Sequence, residues 1–143
     1  MKITNMGIVN TINILQNFLE KKLPQKISYA ITRNYLIIQK DYECYSESLN
    51  KLFAQYNEHI VKDESGNVIS NDNGVPIVDS EVSEEFNKEI STLLNIEIEV
   101  NLYQISEEIF DYDDTDKRYD SLSAVDIMNL QTILCNQNND KKE

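Results

Sequence analysis

Residues 27–61 read ISYAITRNYLIIQKDYECYSESLNKLFAQYNEHIV, and their apolar spacing decides the fold. Ile27, Ile31, Tyr35, Ile38, Tyr42, Tyr45, Leu49, Leu52, Tyr56 and Ile60 follow one another at steps of three or four. That spacing keeps one face of an α-helix apolar from end to end. No Gly or Pro interrupts it. Pro24 stands just before, where proline is tolerated near a helix start, and Asp63, Ser65 and Gly66 form a turn cluster that stops it. The predicted helix is on the order of 50 Å long, more than a chain of 143 residues needs to span its own core. The fold therefore turns on what covers this stripe, another part of the chain or a second chain.

On the N-terminal side, residues 2–4 suit a short edge strand. From Met6, Ile8, Ile12, Leu15 and Leu19 lie on one helical face, with Val9 and Phe18 flanking and Asn5 as N-cap. Lys21 and Lys22 fall in the last turn and complement the helix dipole. Leu23-Pro24 ends the helix, because a residue before proline is driven out of the α region. The two helices are expected to pair antiparallel, the first covering part of the second.

On the C-terminal side, residues 62–79 read KDESGNVISNDNGVPIVD. Glu64 to Asn67 form one turn and Asp72-Asn73-Gly74 a second, the Asn-Gly pair suiting a type I′ hairpin. Residues 68–69 and 75–78 form short arms, and Pro76 confines its arm to an edge. Asp79 and Ser80 start a further helix, with Glu81, Glu84 and Glu85 at its positive end, Val82, Phe86, Ile90 and Leu93 as core face, and Asn95 at its close. The period then drops to two. Ile96, Ile98, Val100 and Leu102 alternate with Glu97, Glu99, Asn101 and Tyr103, which predicts a strand over 96–102. Its partner is the N-terminal segment, the hairpin or another chain, since a lone strand leaves its backbone groups unpaired. Ser106 starts a short helix through Phe110. Residues 111–120, DYDDTDKRYD, form an acidic solvated loop. Ser123 and Asp126 make a capping signal with Leu122 and Ile127 as its staple. The last helix runs over 124–135, burying Ile127, Leu130 and Leu134, or else Val125 and Met128. Residues 136–143 read as a frayed polar tail. No internal repeat or linker stands out. The fold class is mostly α within α+β: one domain of antiparallel helices around one long amphipathic helix, with a small β-hairpin or antiparallel sheet.

The net charge is −12 and the sequence pI about 4.4. Direct nucleic-acid binding is excluded on that ground, because neutralising phosphates takes clustered Lys and Arg. An acidic surface instead confers solubility, repels non-specific partners, or competes for a basic groove on another protein. No apolar run reaches the roughly 20 residues of a membrane span, and the N-terminus lacks a signal peptide's apolar block. A cytoplasmic location is expected, with Cys44 and Cys135 as free thiols.

No catalytic constellation emerges. His59 is the single histidine and has no nucleophile or orienting partner by motif. Zinc spacings are missing. A calcium loop begun at Asp111 sets Asp116 where glycine is required and Leu122 where the bidentate glutamate belongs. Three glycines make no phosphate cradle. Arg33 and Arg118, the two arginines of the chain, clamp an anion only if they converge. No cofactor and no enzymatic activity are expected. The unusual feature is tyrosine: five of the eight, Tyr29, Tyr35, Tyr42, Tyr45 and Tyr56, lie on the long helix. Tyrosine gives large area with a polar tip and suits interfaces. The candidate protein-binding residues are accordingly Tyr35, Tyr42, Tyr45 and Tyr56, together with Asp111, Asp113, Asp114 and Asp116 of the acidic loop.

In LPQKISYAITRN at 23–34, AQYNEHIVKDESG, NDNGVPIVD, EEFNKEISTLLNIEIEV and SLSAVDIMNLQTIL, the chain resembles a group of small accessory proteins encoded by phages and prophages of low-GC bacteria. The resemblance covers most of the chain and is one of layout. It implies a non-enzymatic phage accessory protein in the host cytoplasm and carries over no catalytic residues. The function expected is protein–protein binding to a host or phage partner, as a virion-associated component or an anti-defence inhibitor, with homo-oligomerisation also open. One alternative is an acidic nucleic-acid mimic that blocks a host nuclease such as a CRISPR effector. Another is a small-ligand-binding protein with its site between protomers.

Overall fold

The stripe forms one uninterrupted helix, α2, over Gln25–Gln55 in the computed structural model, which describes residues 1–135 other than Asn73 and Asp114. Among those residues the chain is mostly helical. It has β1 (Lys2–Thr4), α1 (Asn5–Gln16), α2, α3 (Ser83–Leu94), β2 (Glu97–Glu99) and α4 (Ala124–Leu134), with single 3-10 turns at Asn57–His59 and Glu107–Phe110. The expectation of a mostly helical α+β fold built around one long helix holds. The tail at 136–143 lies outside the described residues.

Helix α2 stops short of its expected end at Val61. Tyr56 leaves helical geometry, the 3-10 turn follows, and Ile60 is extended. The β-branched pair Ile60-Val61 enters strand pairing instead: Ile60 bridges Val78, and Val61 N–H donates to Ile77 C=O at 2.8 Å. Two compact units share α2. One comprises Met1–Tyr42 and Glu97–Glu143, the other Glu43–Ile96.

In the first unit β1 runs antiparallel to β2, with Ile3 opposite Ile98. The expected strand over 96–102 has its partner in the N-terminal segment, but its ladder is short. Past Glu99, Val100 N–H still reaches Met1 C=O. Beyond that the extended chain is held by side chains and helix ends. Asn34, fully buried on α2, accepts from Tyr103 N–H at 2.6 Å and donates to Tyr103 C=O at 2.8 Å. Ile105 N–H and Gln104 Nε2 donate to the carbonyls of Leu134 and Ile133, satisfying acceptors that the end of α4 leaves open. Val100 and Leu102 drop into a core with Ile8, Ile12, Leu15, Ile27, Ile31, Ile38, Leu130 and Leu134.

Three local expectations are corrected in this unit. Thr4, not Asn5, caps α1, its Oγ1 accepting from Gly7 N–H at 3.1 Å; Asn5 is buried in the helix. Helix α1 ends at Gln16, so Lys21 and Lys22 lie outside it. Ser106 begins a single 3-10 turn without a side-chain cap. The capping box of Ser123 and Asp126 forms as expected. Of the two faces open to α4, the one with Leu130 and Leu134 is buried and Val125 and Met128 are exposed.

The second unit takes α2 from Glu43 onward, residues 60–79 and α3. Residues 60–79 contain a repeat that the sequence hides. Val61, Ile69 and Ile77, eight residues apart, close a ring of hydrogen bonds: Val61 N–H to Ile77 C=O, Ile77 N–H to Ile69 C=O, Ile69 N–H to Val61 C=O, at 2.8, 2.9 and 3.1 Å. So three short segments pair, where one hairpin was expected. The two turns match. Asp63 N–H donates to Asn67 C=O and Asn71 N–H to Val75 C=O, and in return the Oδ1 atoms of Asp63 and Asn71 accept from the amides of Asn67 and Val75. Gly66 and Gly74 follow with φ of 83° and 78°. Nothing lies near a Cβ added at either glycine, so only the backbone resists substitution. Gly66→Ala and Gly74→Ala are each expected to cost about 1–2 kcal/mol, read as faster hydrogen exchange at the amides of Val61, Ile69 and Ile77.

Helix α3 starts at Ser83, later than expected, because Asp79 N–H is still bonded to His59 C=O. Glu84 and Glu85 do lie in its first turn. Phe86 centres the core of this unit, 5.1 Å from the Tyr56 ring and 6.2 Å from Phe53, with Leu52, Val78 and Ile90 around it.

Candidate functional site

The residues singled out in the sequence fall in different settings. Tyr35 and Tyr42 are half-buried against the core of the first unit. In the second unit, Tyr45 is half-buried and Tyr56 buried. Burial raises the Tyr56 phenol above its ordinary value, and the charges of Glu85 and Glu89 add to that. In the acidic loop Asp111 and Asp113 are exposed and Asp116 half-buried; Asp114 lies outside the described residues.

That loop is tied down. Lys22 N–H donates to Asp120 Oδ2 and Asp120 N–H to Lys22 C=O, both at 2.7 Å. Tyr112 Oη donates to Asp120 C=O, and Tyr112 meets Tyr119 edge to face. Two of its carboxylates serve the loop: Asp113 accepts from Thr115, and Asp116 holds Arg118 at 2.7 Å, a bond that keeps the Asp116 carboxyl below its ordinary range. Among the described residues no cluster of acids, His or Cys has the makings of a metal site. His59 Nδ1 sits 3.4 Å from Asp79 Oδ2, both partly exposed. Cys44 is exposed and Cys135 half-buried, both free. Burial, then Glu107, pushes the Cys135 thiol up, away from the reactive thiolate.

Two surfaces stand out apart from these residues. On the second unit, Val68, Ile69 and Ile77 are 47, 37 and 42% exposed, and the hydrogen bond from Ile77 N–H to Ile69 C=O fixes two of them side by side. Glu43–Ile96 holds 11 acidic and three basic residues, a net −8 of the chain's −12. Apolar side chains thus sit on an acidic unit, with Asp63, Glu64 and Asp72 in the intervening turns. The same unit carries a cleft of about 220 Å³ between α2 and α3, floored by Leu52, Leu93 and Ile96 with Lys51 and Glu89 beside them.

On the first unit, Tyr29, Arg33 and Tyr103 form an exposed cluster. Arg33 Nη1 donates to Tyr29 Oη at 2.9 Å. The guanidinium lies 5.1 Å from the Tyr103 ring centre, and the two rings meet edge to face at 5.6 Å. Among the described residues Arg33 and Arg118 share no hydrogen-bond partner; Arg118 is engaged by Asp116.

These features define a mostly helical α+β protein with an acidic unit whose β-turn region exposes apolar side chains. Comparison of the chain with protein-family models, curated proteins and solved structures gives no match. Among the described residues no helix is long and apolar enough to cross a membrane.

Proposed function

We propose that this protein acts by binding another protein, as a phage-type accessory protein in the host cytoplasm, and that residues 60–79 make the contact. The observation that carries this reading is the placing of Val68, Ile69 and Ile77 in the open on a unit of net charge −8. Apolar side chains ringed by charge are the anatomy of a binding patch. The acidic field selects a basic partner and speeds encounter with it. The same field repels a second copy of the chain at this surface. A basic nucleic-acid channel on a host defence protein fits best, because its phosphate-binding cations are complementary to this unit. The role is one of occupancy and not of catalysis.

The test is capture from host lysate on immobilised protein, at about 50 and about 500 mM salt, a range over which exposed charge pairs become screened. A partner that is held at low salt, released at high salt and lost with Ile69→Ser/Ile77→Ser is the expected result. A partner held equally at both salts and by the double variant refutes the reading.

A further inference from the structure

Independently of residues 60–79, we propose that Tyr29, Arg33 and Tyr103 form a preorganised site for one carboxylate of a partner protein. The chain contains an occupied version of the same arrangement. Arg118 lies 5.2 Å from the centre of the Tyr119 ring. Its Nε and Nη2 edge is taken by Asp116, with Nε to Oδ2 at 3.0 Å and Nη2 to Oδ2 at 2.7 Å. Arg33 lies 5.1 Å from the centre of the Tyr103 ring. Tyr29 Oη takes Nη1, and among the described residues the Nε and Nη2 edge makes no hydrogen bond. Among the described residues no carboxylate pairs with Arg33, in a chain with 25 acidic residues.

The site is held in place from behind. The Tyr103 backbone is clamped by Asn34, the neighbour of Arg33 on α2, so the backbone that carries the supporting ring is fixed to the helix turn that carries the guanidinium. A fixed guanidinium loses less freedom when it binds, and its planar fork matches a carboxylate through two parallel bonds. Tyr29 and Tyr103 are 48 and 38% exposed, and Leu36, further along the Tyr29 and Arg33 face, is also exposed. Tyrosine and arginine beside an apolar neighbour are what binding hot spots are made of. A row of phosphates is the wrong ligand: it needs several clustered cations, and the net charge of −12 opposes a polyanion.

Because the chain has two arginines, their Nε–H groups give two NMR signals, and Arg33→Lys assigns them. Labelled protein is titrated, at constant ionic strength, with N-acetylglutamate N-methylamide for a side-chain carboxylate, N-acetylalanine for a chain-terminal one, and chloride as reference. The Arg33 signal is expected to shift saturably with one or both carboxylates, at a midpoint on the order of 10 mM, as a single charge-assisted pair supplies. The Arg118 signal stays in place, and Tyr103→Leu weakens the Arg33 response at least threefold while leaving the backbone spectrum folded. The carboxylate that saturates at the lower concentration identifies the source. If neither saturates, or if chloride matches them, the proposal is overturned.

Discussion

Replacing Asn34 by leucine lowers the stability of the first unit by about 2–4 kcal/mol, measured as a shift in the urea unfolding midpoint. Leucine has the branched skeleton of asparagine and is somewhat bulkier, so the loss does not come from a cavity. It comes from the Tyr103 peptide. Asn34 accepts from the Tyr103 N–H and donates to its C=O, acting as a one-residue strand partner where the extended chain has left the β1 ladder. Leucine leaves both backbone groups unmatched, at roughly 1–3 kcal/mol each where water is excluded. Tyr103 is partly exposed, so water recovers part of that. Asn34→Asp separates the two bonds. The carboxylate still accepts from the N–H but sets a second oxygen against the Tyr103 carbonyl. Only the protonated acid donates there, so burial and this contact raise its folded pKa above the unfolded value near 3.9. The defect relative to the parent protein is therefore smallest below about pH 4 and grows as pH rises from there. Equal midpoints for Asn34→Leu and the parent protein contradict the clamp. Because Tyr103 supports Arg33, Asn34→Leu also weakens the response of the Arg33 signal to carboxylate.

Much of this fold is legible in the sequence because it is local. The three-and-four spacing of α2, the Ser123–Asp126 box and the alternation of Ile98, Val100 and Leu102 are each set within a few residues. The end of α2 is misread because Tyr56 and Ile60 keep the helical spacing after the backbone has left the helix. Both are apolar for a different reason: Tyr56 meets Phe86, and Ile60 bridges Val78. The eight-residue ring is hidden because its copies share only an apolar residue, an Asp or Asn two positions on and, in two of them, a glycine. Tyr103 and its partners on α2 are far apart in the chain, and no spacing rule links them. The choice of tyrosines shows the same effect. Tyr35, Tyr42 and Tyr56 on the stripe join or pack against the two cores, whereas Tyr29, off the stripe, is left exposed beside Arg33.

Phe86→Ala is expected to unfold the second unit while the first stays folded. Phe86 is almost fully buried and touches the rings of both Tyr56 and Phe53. Truncating a buried phenylalanine costs about 3–5 kcal/mol. A unit of this size has roughly 3–8 kcal/mol in total, at the stability per residue of small domains, so one substitution removes most of it. The core around Phe86 contains Leu52, Tyr56, Val78 and Ile90 and shares no residue with the core built on Ile8, Ile31 and Leu130. Hydrogen exchange reads the outcome residue by residue. Amides of α3 and of Val61, Ile69 and Ile77 lose protection, whereas those of α1, α4 and the first turns of α2 keep it. Loss of protection throughout shows instead that α2 couples the two cores into one cooperative unit. The same variant separates the two binding surfaces. Capture of a basic partner through residues 60–79 is abolished, because the ring of Val61, Ile69 and Ile77 no longer forms, while the Arg33 signal still responds to carboxylate, because Tyr29, Arg33, Asn34 and Tyr103 belong to the unit that remains folded.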